Sequence, residues 1–329
     1  MKIAIVKLSA LGDIVHAMVA LQFIKAARPD VQIDWLVEQR FADLLAGNPH
    51  IERILPVDLK ALKTRKSAVF QEIARIKGYA NHGYDLVIDA QGLIKSALVA
   101  RLLSGSCAGF DIHSVREKAA ALFYKQTVAC PYDANTIDRN VAVLTETLGI
   151  KVGPEQIINK QPFLFYQAAS PCLNEFRQAG GKQVLLVIGS TWASRNYPKE
   201  KYLRVAQGLP ADCWICWGSE QERQAAEWIA QRSAARVLPR LSLNDLKAAI
   251  DSANLVIGND TGPTHMAWGL NRPSITLFGP TPVSRVYRTG INKVLKSPSL
   301  VNPRKLDKND FSIAEIDENA VIALAESLL

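Results

Sequence analysis

Leu255-Val256-Ile257-Gly258-Asn259-Asp260-Thr261-Gly262-Pro263-Thr264-His265-Met266-Ala267 runs from an apolar stretch through a polar elbow into a second apolar segment. That is the order of a buried strand, a tight turn and a helix. A helix that begins on such an elbow presents backbone N–H groups with no partner inside the helix, at the positive end of its dipole. A phosphate or diphosphate is favoured there. Asp260 has the side chain of a natural N-cap. The same residues also suit a well-capped helix on a doubly wound sheet with no ligand, and residues 259–267 alone leave both readings open.

Outward from this elbow the chain reads as two similar halves. Lys2 to Val6 is a short buried strand, Lys7 to Asp13 a polar loop containing Gly12, and Ile14, Met18, Leu21 and Ile24 then recur at helical spacing. The second half repeats the plan with a strand at Gln183 to Ile188, a loop from Gly189 to Pro198 and a helix at Lys199 to Gly208. Further strands are expected at Ile33 to Val37, Asp85 to Asp89, Cys213 to Trp217, Leu255 to Gly258 and Ser274 to Phe278, with helical segments between most of them. Such alternation predicts parallel sheets covered by helices on both faces. A boundary fits best near Gly153 to Pro171, where Gly, Pro and Gln punctuate the pattern. The expected domains are therefore 1–160 and 161–310. Ile313 to Leu328 follows as an amphipathic helix that could return to the first domain.

With 329 residues, 48% of them apolar, the chain suits two α/β domains, each with its own core. A formal charge of +8 favours acidic partners: nucleic acid, nucleotide ligands or an anionic lipid surface. Lys7 and Asp13 interrupt the first apolar run too early for a signal-peptide core, so the start reads as a structural strand of a cytoplasmic protein. The five cysteines are scattered and odd in number, which argues for reduced thiols. Cys213-Trp214-Ile215-Cys216 has thioredoxin spacing, but on a strand its two thiols face opposite sides. The five histidines show no metal-ligand spacing.

In open α/β sheets ligands bind beyond the carboxyl ends of the strands, so the candidate chemistry sits in the loops there. In the first half these are Ser9 to Asp13 and Asp89-Ala90-Gln91-Gly92-Leu93-Ile94-Lys95-Ser96. In the second they are Gly189-Ser190-Thr191 with Arg195, Gly218 to Glu222, the Asp260 to His265 elbow and Gly279-Pro280-Thr281. No G-x-G-x-x-G follows the first strand and no G-x-x-x-x-G-K-[ST] occurs, which lowers both the dinucleotide oxidoreductase and the P-loop readings.

Taken in order, these loops resemble the lipopolysaccharide heptosyltransferases of glycosyltransferase family 9. The shared features are the loop ending Gly12-Asp13, the strand-end D-x-Q-G-L-x-K-S from Asp89 to Ser96, a basic residue before an aromatic-Pro pair at Arg195 to Pro198, W-G-x-x-x-E from Trp217 to Glu222, and D-T-G-x-x-H from Asp260 to His265. The resemblance implies a GT-B fold of two Rossmann-like domains around a cleft and a metal-independent, cofactor-free, inverting transfer from ADP-L-glycero-D-manno-heptose. The 89–96 segment is similar to that of the branch that puts the first heptose on the Kdo of lipid A. One departure is Arg195, where the family often holds Lys; charge is kept, contact geometry differs.

By position in the family, Asp13 is the base on the acceptor hydroxyl, although on the residues alone it equally reads as a helix cap. Ser190 and Thr191, Arg195, and the N–H groups of Thr261 and Gly262 are implied to hold the diphosphate. Glu222 is implied to accept from the ribose, Trp217 and Leu241 to wall the adenine, and Asp260 and His265 to face the heptose and its phosphate. Lys95, Arg116 and Arg139 match basic positions implied to meet acceptor carboxylates. Lys60, Lys63, Arg65 and Lys66, with Leu62, Val69 and Phe70 nearby, suit the anionic surface of the inner membrane. No nucleic acid is implied as a partner. The competing readings are a family member with another acceptor, such as heptosyltransferase II, and a non-catalytic nucleotide-sugar binder, for which a base at Asp13 would have no use.

Overall fold

Two apolar runs, one opening each half of the chain, become central strands of two separate sheets. The structure, a computed structural model, describes residues 1–59 and 68–329. In the first unit, Met1–Phe165, the strands are β1 (Lys2–Val6), β2 (Gln32–Glu38), β3 (Arg53–Val57), β4 (Leu86–Asp89), β5 (Cys107–Phe110) and β6 (Gln126–Val128), in the order β3-β2-β1-β4-β5-β6. In the second, Tyr166–Leu329, they are β7 (Gln183–Val187), β8 (Asp212–Cys216), β9 (Arg236–Val237), β10 (Leu255–Asn259), β11 (Ser274–Phe278) and β12 (Asn292–Lys296), in the order β12-β11-β10-β7-β8-β9. All pairings are parallel. The two units therefore share one winding, and its direction reverses between β1 and β4 in one and between β7 and β10 in the other. Those reversal points are where such sheets hold ligands.

The central strands are apolar on both faces because helices cover both. Ile3, Ala4, Ile5 and Val6 of β1 have no exposed surface, and neither do Ile14, Met18, Leu21 and Ile24. The helical spacing of Ile14, Met18, Leu21 and Ile24 is carried by two helices, Leu11–Met18 and Ala20–Ala27, separated at Val19. The division between the units lies within the Gly-, Pro- and Gln-punctuated stretch, after Phe165.

The last segment packs within the second unit. Glu318, which opens the helix Glu318–Glu326, pairs with Lys201 at 3.0 Å and with Arg204, both on the helix Lys199–Gly208. The Tyr197 hydroxyl donates to Ile316 O at 2.9 Å, and Val321 and Ala325 join Val205 in the core. Cys213 and Cys216 lie on β8, and burial pushes both thiols up to about 12. They are protonated at neutral pH, which removes the thiolate that redox exchange needs. Among the described residues no helix is long and apolar enough to cross a membrane.

Candidate active site

The elbow after β10 forms as read, with one correction. Thr261, not Asp260, is the N-cap of the helix Gly262–Gly269, and it makes no side-chain cap. The Asp260 carboxylate is already engaged: Arg195 Nη1 donates to Oδ2 at 3.3 Å and His265 Nε2 to Oδ1 at 3.0 Å. Burial by itself would raise the Asp260 carboxyl. The His265 hydrogen bond and the charges of Arg285, His265 and Arg195 outweigh it and hold that carboxyl well below the usual carboxylate range. Asp260 is thus a fixed, buried anion that aims Arg195. The guanidinium also donates to Thr191 Oγ1 at 2.8 Å.

Asn259, at the last position of β10, ties this elbow to the loop after β7. Its Nδ2 donates to Ile188 O at 2.9 Å, and its Oδ1 accepts from Tyr197 N at 3.0 Å and from the Tyr202 hydroxyl at 3.1 Å. The Arg195-Asn196-Tyr197-Pro198 segment is thereby anchored to the strand that carries Asp260. The Ser190 hydroxyl shapes its own turn, donating to Trp192 O at 3.0 Å. The backbone N–H groups of Ser190, Thr191, Thr261 and Gly262 donate to no acceptor among the described residues. They are a set of donors already in place for an anion.

Glu222 sits directly against Gly189: a Cβ at 189 would overlap its carboxyl group and lie 2.6 Å from its Cγ. Glu222 Oε2 also accepts from Gly218 N at 2.7 Å, so the loops after β7 and β8 are joined through this side chain. Trp217 Nε1 donates to Leu238 O at 2.8 Å, which fixes the half-buried indole, and Leu241 is half-buried in the loop between β9 and the helix Leu243–Ser252.

In the first unit Asp13 occupies the third position of the helix Leu11–Met18, and its Oδ2 reaches back to accept from Ala10 N at 3.1 Å. It therefore caps the helix start with one oxygen. The loop before it is held by D-x-Q-G-L-x-K-S. Asp89 is fully buried and accepts from Gln91 N (2.8 Å), Gly92 N (3.2 Å), Ser96 Oγ (2.7 Å) and the Tyr124 hydroxyl (2.7 Å). Gly92 has φ +68°, a conformation that only glycine adopts freely. Gln91 Oε1 then accepts from Leu8 N (3.0 Å) and Ser9 N (3.1 Å), which clamps the segment leading to Asp13. Lys7 Nζ donates to Ala90 O (2.8 Å) and Asn140 Oδ1 (2.9 Å). Burial lowers its ammonium from its ordinary value, an effect that Asp13 and Asp89 only partly offset.

The three expected acceptor cations differ. Lys95 and Arg116 are exposed. Arg139 is a brace: Nη1 donates to Cys130 O (3.0 Å) and Pro131 O (2.6 Å), Nη2 to Ser114 O (2.6 Å), and the guanidinium lies over the Phe110 and Tyr132 rings. Lys60, Lys63, Arg65 and Lys66 lie outside the described residues. No group of three or more metal-ligating side chains occurs among the described residues. Asn259, Gln91, Lys7 and Arg285 had no role assigned from sequence; only Gln91 lay inside a recognised motif.

Residues 74–307 match the family model described as glycosyltransferase family 9 (heptosyltransferase). The chain belongs to glycosyltransferase family 9. It is 34% identical over 343 residues to a lipopolysaccharide heptosyltransferase 1 of Campylobacter coli, covering 100% of this chain and 99% of that one. With the lipopolysaccharide heptosyltransferase 1 of Escherichia coli K12 it shares 31% over 310 residues, 90% of this chain and 93% of that one. The solved structure of the E. coli heptosyltransferase WaaC with ADP-2-deoxy-2-fluoro heptose superposes with a TM-score of 0.80 at 26% identity, covering 100% of both chains. The two six-stranded parallel sheets with their helices are the GT-B architecture, and this family 9 chain is a glycosyltransferase of the heptosyltransferase kind.

Proposed function

We propose that the chain moves L-glycero-D-manno-heptose from ADP-heptose to the Kdo of lipid A, with inversion, in assembly of the lipopolysaccharide inner core. The observation that carries this is full-length likeness to heptosyltransferase 1 proteins, including one solved with an ADP-heptose analogue, in a chain that has Asp13 and the Arg195–Asp260–His265 cluster at the reversal points of its sheets. In the transfer, the acceptor hydroxyl oxygen bonds to the anomeric carbon from the face opposite the diphosphate. The bond from that carbon to the diphosphate oxygen breaks, its electron pair leaves with ADP, and the acceptor proton passes to the Asp13 carboxylate. Arg195 and the N–H groups of Ser190, Thr191, Thr261 and Gly262 stabilise the charge that grows on the leaving group. Glu222 accepts from the ribose hydroxyls, Trp217 and Leu241 flank the adenine, and Asp260 with His265 faces the heptose.

Lys95 and Arg116 meet the acceptor's carboxylates, with Arg139 bracing the loop beside them. The acceptor is lipid-linked, and we place the enzyme on the cytoplasmic face of the inner membrane, drawn there by the basic residues at 60, 63, 65 and 66. Incubation of the purified protein with ADP-heptose and Kdo-lipid A, following ADP release, tests the assignment. Release only with an acceptor that already carries a heptose would replace it with the heptosyltransferase II reading. Release with neither acceptor would overturn it.

A further inference from the structure

Trp192 gathers two cations that are distant in sequence. The Arg195 guanidinium lies 4.8 Å from its ring centroid and the Lys308 ammonium 5.0 Å from the same centroid. An indole face attracts cations and so offsets the repulsion between two of them held close together. Lys308 belongs to the polar stretch after β12, where nothing in the sequence marks it out. A third cation comes from the loop after β11. Asp260 N donates to Leu277 O at 3.1 Å, so the chain leaves β10 and β11 side by side, and the short turn Val283–Arg285 brings a half-buried guanidinium within electrostatic reach of Asp260. Among the described residues the side chains of Arg285 and Lys308 form no hydrogen bond and no ion pair shorter than 4 Å.

Charge counting shows what this cluster lacks. Asp260 supplies one negative charge against Arg195, Arg285 and Lys308, leaving a surplus of two positive charges before His265 is considered. Arg195 and Arg285 are half-buried and Lys308 is exposed, and two half-buried guanidinium groups with one buried carboxylate between them are costly without a further anion to meet them. A doubly charged diphosphate ester supplies it, and a departing nucleoside diphosphate, more negative still, supplies more.

We propose that Arg285 and Lys308 are diphosphate-contacting residues that act with Arg195 on the donor. The inference rests on the donor-site reading above and extends it to two residues outside the recognised motifs. Trp192 acts as a positioning residue that holds Arg195 and Lys308 on one ring.

Titration calorimetry of the full-length protein with ADP, AMP and adenosine tests this. Arg285→Gln should weaken ADP binding about tenfold and Lys308→Gln about threefold, the latter less because its ammonium is exposed. Adenosine, which has no phosphate, should bind each variant as it binds the wild type, and the salt dependence of ADP affinity should become shallower. Arg285→Lys should keep ADP affinity within about threefold, since it retains the charge. Arg195→Gln is the reference. If Arg195→Gln loses ADP affinity while Arg285→Gln and Lys308→Gln do not, this proposal is overturned and the donor site stands. If Arg195→Gln also binds ADP normally, the donor-site reading fails and this one with it. Equal losses for adenosine and ADP would show that the residues act through the fold and would likewise overturn it.

Discussion

Gly189 and Glu222 are in such close contact that the glutamate carboxyl fills the space a side chain at 189 would need. Gly189 lies in the loop after β7 and Glu222 in the first turn of the helix Glu220–Ala230 that follows β8, and their contact sets the depth of one segment against the other. Gly189→Ala should push Glu222 off its hydrogen bond with Gly218 N. The expected result is about tenfold weaker ADP binding, the scale of one lost charge-assisted hydrogen bond, with little change in AMP-to-ADP discrimination. Calorimetry on the alanine variant checks it; unaltered ADP affinity would remove Glu222 from the nucleotide site.

Asp13→Asn should cut turnover by about 10² to 10⁴ while leaving ADP affinity unchanged, because the carboxamide keeps the size and the acceptor for Ala10 N but cannot take the acceptor proton. The observed cap makes this a sharper test than an alanine change would be. Alanine removes cap and base together, whereas asparagine separates them. Turnover near the wild-type rate would leave Asp13 with the capping role alone.

Gln91 should behave as a positioning residue for the same loop. Gln91→Ala strands the N–H groups of Leu8 and Ser9, each worth about 1 to 3 kcal/mol if left without a partner, and loosens the segment that presents Asp13. A fall in kcat of about tenfold with unchanged ADP affinity is expected, and Gln91→Glu, which keeps the accepting oxygen, should recover most of it. Loss of ADP affinity in step with kcat would point instead to general destabilisation.

Much of this arrangement was legible in the sequence, and the exceptions have physical causes. The 255–267 stretch was readable because an apolar strand, a polar elbow and a helix follow one another without interruption. The duplicated winding was readable because both halves begin with the same strand, loop and helix. Asp260 looked like a cap because local sequence cannot show that Arg195, 65 positions earlier, reaches the same carboxylate. β3 went unread because Pro56 interrupts it, which an edge strand tolerates, and β9 because two residues carry no periodicity. Arg285 and Lys308 sit in polar segments where a cation is unremarkable. Only the fold places them near Asp260 and Trp192.

The Asp260 carboxylate should also leave a mark on stability. Its folded-state carboxyl lies below the unfolded value of about 3.9, so the unfolded chain binds the proton more readily. Its stabilisation is fully present above that value and is lost as pH falls below it. Asp260→Asn, which leaves Arg195 and Arg285 without their counter-charge, should destabilise the second unit by about 3 kcal/mol at pH 7. It should also flatten the acid limb of the stability profile between about pH 5 and pH 3. Urea unfolding across that range decides it, and an acid limb identical to that of the wild type would mean that Asp260 does not carry it.

The basic residues Lys60, Lys63, Arg65 and Lys66 should act on presentation of the acceptor and be silent in donor binding. Each Lys or Arg near an anionic surface contributes about 1 kcal/mol at physiological salt, and the attraction decays over a Debye length of about 8 Å. The prediction rests on their charge alone: four cations within seven positions are enough together to bias a protein toward an anionic bilayer. Replacing all four with Gln should reduce activity on lipid-embedded acceptor and make that activity less sensitive to salt, with ADP affinity unchanged. A deacylated Kdo acceptor in free solution should show a smaller loss, since it needs no membrane encounter. Equal losses on both acceptors would assign the residues to the acceptor sugar itself. Liposome binding that keeps its strength and salt dependence in the variant would remove them from the membrane contact altogether.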